Sequence, residues 1–222
     1  MNNSFSRRSA IQLSETSPLT SKIPQRISIL GATGSIGLNT LDLIGRSPHL
    51  FEVVSLTAHS NVKKLAELAR LHKAKFAAIR DESLYTELKA YLSGTSIKVA
   101  AGESAIFEAA QYSADCVMAA IVGAAGLKPT FAAASQGCRI ALANKECLVS
   151  AGNVFLDHIR SSKAELIPVD SEHSAALQAL AGAERSSVEK IVLTASGGPF
   201  RTWTKEQLDR ATPEEALRHP NW

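Results

Sequence analysis

The sequence predicts an α/β protein, a doubly wound parallel sheet followed by the start of a second α/β unit. Three observations support this. From Arg26 onward, short apolar runs alternate with segments of helical spacing. Several of the runs are apolar on both faces, as in strands covered by helices on both sides. Finally, Ile27-Ser28-Ile29-Leu30 runs into Gly31, Gly34 and Gly37, and then into a helical pattern through Leu38, Leu41 and Ile44.

That first stretch reads as strand, tight turn and helix. Gly31 permits a turn where a side chain would clash, Gly34 lets backbone approach a ligand, and Gly37 lets the helix pack on the strand. The helix N-terminus offers unpaired N–H groups and a positive dipole end to an anion. A dinucleotide diphosphate suits it, although the spacing is GxxGxxG rather than GxGxxG. A glycine-rich turn that binds nothing is the alternative.

The remaining elements follow in order. Glu52–Thr57 reads as the second strand, and Asn61–His72 as a helix with Val62, Leu65, Leu68 and Ala69 on one face. Phe76–Ile79 is a strand, Asp81–Leu92 a helix, Ile97–Ala100 a strand, Glu103–Tyr112 a helix and Cys116–Ile121 an apolar strand. Lys128-Pro129 opens a helix ending at Gly137, and Arg139–Ala143 and Glu165–Val169 are further strands. Right-handed crossovers then give a Rossmann-like domain over 26–169, preceded by a flexible extension over 1–25 that is rich in Ser, Thr and Asn. Residues 170–222 begin another domain. There, helical spacing resumes at Ala176, Leu177 and Leu180, Val188–Leu193 reads as a strand, and capping boxes start at Thr204 and Thr212. The ending at Trp222 and the missing partners for Val188–Leu193 suggest a cut chain.

Composition narrows the function. The 222 residues carry a net charge of only +3, with no basic stripe for nucleic acid and no apolar run of membrane-spanning length. Cys116, Cys138 and Cys147 are an odd number at no metal-like spacing and read as reduced thiols.

Four polar stretches at strand ends are candidate sites. Thr57-Ala58-His59-Ser60-Asn61 lacks the acid that binds an NAD ribose, and Lys63 and Lys64 follow, which favours NADP; Asn61 could instead cap the next helix. In Asn144-Lys145-Glu146, Lys145 could hold a phosphate or carbonyl oxygen with Glu146 orienting it, or the two could be a surface ion pair. In Asp170-Ser171-Glu172-His173, two carboxylates at a strand end could converge on Mg²⁺ or Mn²⁺, with His173 orienting them. A capped helix start is the alternative. Ser196-Gly197-Gly198 offers a hydroxyl and backbone N–H groups for an anion, or is a plain turn.

Together these motifs resemble a known family. Gly31–Gly37, Met118–Leu127, Leu142–Glu146, Pro168–His173, Ser196–Phe200 and His219-Pro220-Asn221-Trp222 occur in the order and spacing of 1-deoxy-D-xylulose 5-phosphate reductoisomerases. The resemblance runs from about Arg26 to the end and covers the N-terminal half of the family's chain. It implies NADPH- and metal-dependent rearrangement and reduction of 1-deoxy-D-xylulose 5-phosphate to 2-C-methyl-D-erythritol 4-phosphate, in non-mevalonate isoprenoid biosynthesis. Thr33, Gly34, Ser35, Ile36, Asn61, Asn144 and Glu146 would then contact NADPH. Asp170 and Glu172 would ligate Mg²⁺ or Mn²⁺. Lys145, Ser171, Glu172, Ser196 and His219 would hold the sugar phosphate, with Lys145, Asp170 and Glu172 at the chemistry and Trp222 in a closing flap. Where family members often carry Gly-Lys/Arg-Asn, this chain has His59-Ser60-Asn61. The resemblance further implies a homodimer, a cytoplasmic bacterial setting rather than a plastid one, and an inactive fragment if these 222 residues stand alone. Two other classes stay open: an NADP-dependent enzyme of the semialdehyde dehydrogenase type, and a non-catalytic dinucleotide-binding module.

Overall fold

In a computed structural model, residues 23–192 and 198–218 are described. The chain divides into two compact units, one up to Ala181 and one from Gly182 on.

The first unit is a seven-stranded parallel sheet in the order β4-β3-β2-β1-β5-β6-β7, with strands β1 Gln25–Leu30, β2 Phe51–Ala58, β3 Phe76–Ile79, β4 Lys98–Ala101, β5 Cys116–Ala119, β6 Arg139–Leu142 and β7 Glu165–Pro168. The parallel, doubly wound prediction is thus met. Helices α1 Ser35–Arg46, α2 Val62–Leu71 and α3 Tyr85–Tyr91 share one buried cluster with Ile27, Ile29, Leu56, Ala77 and Ile79. Helices α4 Glu103–Gln111, α5 Leu127–Ala134 and α6 Glu146–Ser161 share a second with Leu30, Phe76, Val117, Ile140 and Leu142. Successive strand residues face opposite ways, so Ile29 and Leu30 serve different layers. Helix α7, Ser171–Leu180, follows β7.

The order in which strands are added reverses between β1 and β5, which run parallel. The β1–α1–β2 chain winds one way and the β5–α5–β6 chain the other, which opens a crevice beyond the C-terminal strand ends. The glycines act there as their spacing suggests. Gly31 has φ +89°, and a Cβ on it would lie 2.8 Å from the Ala120 carbonyl oxygen. On Gly37 it would lie 2.4 Å from the Gly31 oxygen and 2.6 Å from the Ala32 Cα.

Three sequence expectations need correction, and one helix went unread. The predicted Cys116–Ile121 strand stops at Ala119, because Ala120 and Ile121 leave the sheet to wall the crevice. The predicted Asp81–Leu92 helix is a 3-10 turn, Glu82–Leu84, followed by α3. Helix α6 had no counterpart in the sequence reading; it carries Cys147, Ala151, Phe155 and Ile159 into the core and is kinked at Gly152, φ 42°. In the second unit, residues 188–192 form no strand, and Ile191 and Val192 are exposed; Leu193 lies outside the described residues. The same unit holds α8 Lys205–Leu208 and α9 Pro213–Ala216, each with the expected capping box, at Thr204/Gln207 and Thr212/Glu215.

The glycine roles separate by mutation. Gly37→Ala is expected to destabilise the first unit by about 1–3 kcal/mol, because helix α1 must move off backbone. Gly34→Ala, whose Cβ meets only the Gly31 oxygen at 3.5 Å, is expected to cost less than about 1 kcal/mol. Urea denaturation of both variants measures the difference, and equal losses would contradict this packing.

Candidate functional site

The turn after β1 is built by the neighbouring strand. Thr57, buried near the end of β2, accepts a hydrogen bond at its Oγ1 from the Gly31 N–H (2.9 Å), and its carbonyl accepts one from the Ala32 N–H (2.7 Å). This fixes the start of α1. Gly34 is the N-cap of that helix, with no side-chain cap and no acid in the first turn. The leading N–H groups are therefore left for an anion. A cleft of about 330 Å³ lies in front of them, walled by Gly31, Thr33 and Gly34 from the turn, Thr57 and Ala58 from β2 with His59 after it, Arg80 after β3, and Ala120–Val122 after β5. Ser35 and Ile36 are exposed on the first turn of the helix. No neighbouring protein atom requires glycine at 34, since its added Cβ meets only ordinary contact at 3.5 Å. The space that Cβ would fill is the approach to the N–H groups, so the cradle fits a diphosphate.

Asn61 caps α2, its Oδ1 accepting from the Lys64 N–H at 3.2 Å, which leaves its Nδ2 to offer a ligand. Lys64 Nζ is paired with Glu67 at 3.1 Å, so the sequence argument for these lysines as phosphate ligands loses one of the two. The charged cleft residue Arg80 went unread in the sequence. Arg80 stands beside Ala58 only because β3 pairs with β2 in the register Ala58↔Ile79, and no local pattern reports that.

A second group sits at the ends of β6 and β7. Asn144, 3% exposed, donates from Nδ2 to the Ile121 and Gly123 carbonyls and accepts at Oδ1 from the Cys147 N–H. The side chain expected at the coenzyme is thus spent on holding the cleft-forming loop. Lys145, exposed, is the N-cap of α6, and Glu146 is its half-buried first residue. Asp170 caps α7, accepting from the His173 N–H at 2.9 Å and bonding the His173 ring Nδ1 at 2.7 Å. Glu172 accepts from the Ser171 hydroxyl at 2.9 Å. Burial raises the Asp170 pKa, but the His173 hydrogen bonds and the His173 and Lys145 charges outweigh it and hold the carboxyl below its ordinary range. Glu172 is lowered by its own backbone N–H and by Ser171, with Lys145 also acting and Asp170 opposing. The structure therefore brings Lys145, Asp170 and Glu172 within electrostatic reach of one another. Two ionised carboxylates at a strand end suit a hard cation that completes its shell with water and ligand oxygens. Among the described residues no group of three or more His, Cys, Asp or Glu could hold a metal. Ser196, His219 and Trp222 lie outside the described residues.

The thiols argue against a cysteine nucleophile. Burial pushes Cys116 up to about 11 and raises Cys138 and Cys147 as well, so none is a thiolate near neutral pH.

Residues 27–152 match the family profile of 1-deoxy-D-xylulose 5-phosphate reductoisomerase, and residues 166–222 match that of its C-terminal domain. The chain belongs to the 1-deoxy-D-xylulose 5-phosphate reductoisomerase family. It is 57% identical over 196 residues to the reductoisomerase of Afipia carboxidovorans, covering 88% of this chain and 48% of that one. To the Bradyrhizobium diazoefficiens reductoisomerase it is 49% identical over 214 residues, covering 96% and 52%. The Zymomonas mobilis reductoisomerase in complex with NADPH superposes with a TM-score of 0.80 at 50% identity, over 89% of this chain and 52% of that one. A reductoisomerase solved with NADPH, fosmidomycin and magnesium gives 0.71 at 38% identity, over 89% and 52%. The chain thus spans about half the length of the reductoisomerases it matches.

Asn144 is expected to be the fastener of this site. Asn144→Ala leaves the Ile121 and Gly123 carbonyls without their partner and is expected to cost about 1–3 kcal/mol. Amide hydrogen exchange over residues 121–126 should accelerate more than elsewhere. A uniform change across the sheet would show that the side chain does not hold the loop.

Proposed function

We propose that this chain carries the NADPH-binding part and the metal-facing start of the catalytic part of an enzyme that converts 1-deoxy-D-xylulose 5-phosphate to 2-C-methyl-D-erythritol 4-phosphate. One observation carries the reading. The open N-terminus of α1 and the Lys145–Asp170–Glu172 group stand beyond the C-terminal ends of strands of one parallel sheet. That edge is where open α/β sheets hold ligands. A coenzyme and a cation bound there would address the same substrate. The related structures were solved with NADPH and with magnesium.

In this reading Thr33, Gly34, Ser35 and Ile36 bind the coenzyme diphosphate through backbone N–H groups, and Asn61 contributes near the ribose. Asn144 positions the loop under the nicotinamide half, with Glu146 beside it. Asp170 and Glu172 hold Mg²⁺ or Mn²⁺, while Lys145 and Ser171 orient the sugar phosphate. Ser196 and His219 complete its phosphate end. When bound, NADPH supplies the reducing equivalents and the divalent cation supplies Lewis acidity toward the sugar's oxygens. His173 keeps Asp170 ionised and pointed. The reading includes a homodimer and a cytoplasmic location, for which three unpaired thiols are suited.

The test uses full-length protein with 1-deoxy-D-xylulose 5-phosphate and NADPH, with and without Mg²⁺ or Mn²⁺. Turnover is expected only with metal. Gly34→Val should abolish NADPH binding while leaving thermal unfolding nearly unchanged, because the branched side chain takes the diphosphate's place. Asp170→Asn should weaken Mn²⁺ binding by about tenfold or more, through loss of one ligand charge. Metal-independent turnover would refute the carboxylate site, and unchanged coenzyme affinity in Gly34→Val would refute the cleft.

A further inference from the structure

We propose that the guanidinium of Arg80 holds the 2′-phosphate of the coenzyme, so that Arg80 sets this chain's preference for NADPH over NADH. The proposal rests on the reading of the cleft as the coenzyme site and goes beyond it by naming the residue that distinguishes the two coenzymes.

Position comes first. In a doubly wound sheet the adenosine ribose lies against the end of β2, where an acid would bind the 2′-hydroxyl of NAD. Here β2 ends in Thr57-Ala58, His59 follows it, and no acid occurs before α2. Arg80 is the residue immediately after β3, and β3 is the neighbour of β2 on the side away from β1. Its N–H donates to the Ala58 carbonyl at 2.9 Å, which fixes its backbone beside the ribose end. Arg80 lines the cleft together with Thr57, Ala58 and His59.

Charge comes second. Among the described residues that line the cleft, Arg80 alone carries a permanent positive charge. Lys64 is engaged with Glu67, and Lys63 does not line the cleft. The nearest acid by sequence, Asp81, is turned to its own chain: its Oδ1 accepts from the Ser83 N–H at 3.0 Å and from the Ser83 hydroxyl at 2.6 Å. Arg80 itself is only loosely committed. Its Nη2 is 3.9 Å from Glu103 Oε2, too far for a hydrogen bond, and Glu103 also faces Lys128 Nζ at 3.4 Å. A pair between groups this exposed contributes little. A phosphate dianion offers the guanidinium two parallel charge-assisted bonds instead, which neither a lysine nor a hydroxyl reproduces.

Arginine in this place has one rival use, stacking on the adenine ring, which would serve both coenzymes equally. The experiment separates the two. Full-length wild type, Arg80→Gln and Arg80→Lys are titrated with NADPH and NADH by fluorescence, and with 2′,5′-ADP and 5′-AMP by calorimetry. The expected result for Arg80→Gln is a loss of about 10- to 100-fold in affinity for NADPH and 2′,5′-ADP, with NADH and 5′-AMP changed by no more than about twofold. Arg80→Lys should fall between. Thermal unfolding should be unaltered, since Glu103 is the side chain's weak partner. Equal losses for both coenzymes would assign Arg80 to adenine and overturn the proposal. Unchanged NADPH affinity in Arg80→Gln would overturn it while leaving the coenzyme cleft intact. Failure of wild type to bind either coenzyme would overturn the cleft reading and this proposal with it.

Discussion

Backbone meets backbone where the Gly31 turn passes the Ala120–Ile121 loop, and the candidate site exists because nothing stands between them. Gly31 adopts a conformation that L side chains rarely take, and even a methyl group would press on the Ala120 carbonyl. That contact lets β1 and β5 run side by side to their last residues, in the register Leu30↔Ala119. Beyond them the chain parts, α1 leaving toward one layer and α5 toward the other. A wider separation would close neither the strand pair nor the floor of the cleft. Thr57 reinforces the arrangement from the other side, since its hydroxyl and carbonyl take the first two N–H groups of the turn.

The far wall depends on Asn144 in the same way. Its backbone N–H bonds Ala119, and its side chain bonds the loop two and four residues further on. Glycine at 126 is required because a Cβ there would lie 2.2 Å from the Asn144 Nδ2. A buried amide with three hydrogen bonds behaves as a rigid joint. It couples the cleft wall to the residue that follows it, Lys145, and hence to the start of α6. The two candidate half-sites therefore share one fastening, although neither is adjacent to the other in sequence.

Most of the sheet was legible because buried parallel strands are continuous apolar runs, and those runs stand out between polar helices. The misreadings have specific causes. Hydropathy carried β5 on through Ile121, yet the strand ends at Ala119, and the apolar character of Ala120 and Ile121 belongs to a cleft wall rather than a strand. Helix α6 was invisible because its buried stripe is narrow, its outer face carries exposed Val149 and Val154, and Gly152 interrupts it. Val188, Ile191 and Val192 satisfy β propensity, but a strand needs a paired edge, and residues 188–192 pair with no strand among the described residues. The site was legible in motif and not in register. Gly34, Lys145, Asp170 and Glu172 announce themselves locally, whereas Arg80 reaches the cleft only through the pairing of β3 with β2.

The sequence left Asp170 between two roles, helix cap and metal ligand, and the structure shows why these are not rivals. Both need an ionised carboxylate held still. Capping supplies the stillness, through the His173 N–H, and the His173 ring bonded to the same group keeps it ionised despite partial burial. Glu172 is held by the neighbouring Ser171 hydroxyl and by its own backbone N–H. Lys145 acts on both. Two carboxylates and one ammonium leave the group with one net negative charge, enough to attract a divalent cation and too little to neutralise it. The occupied group would then carry one net positive charge, which is the sign that an anionic sugar phosphate requires.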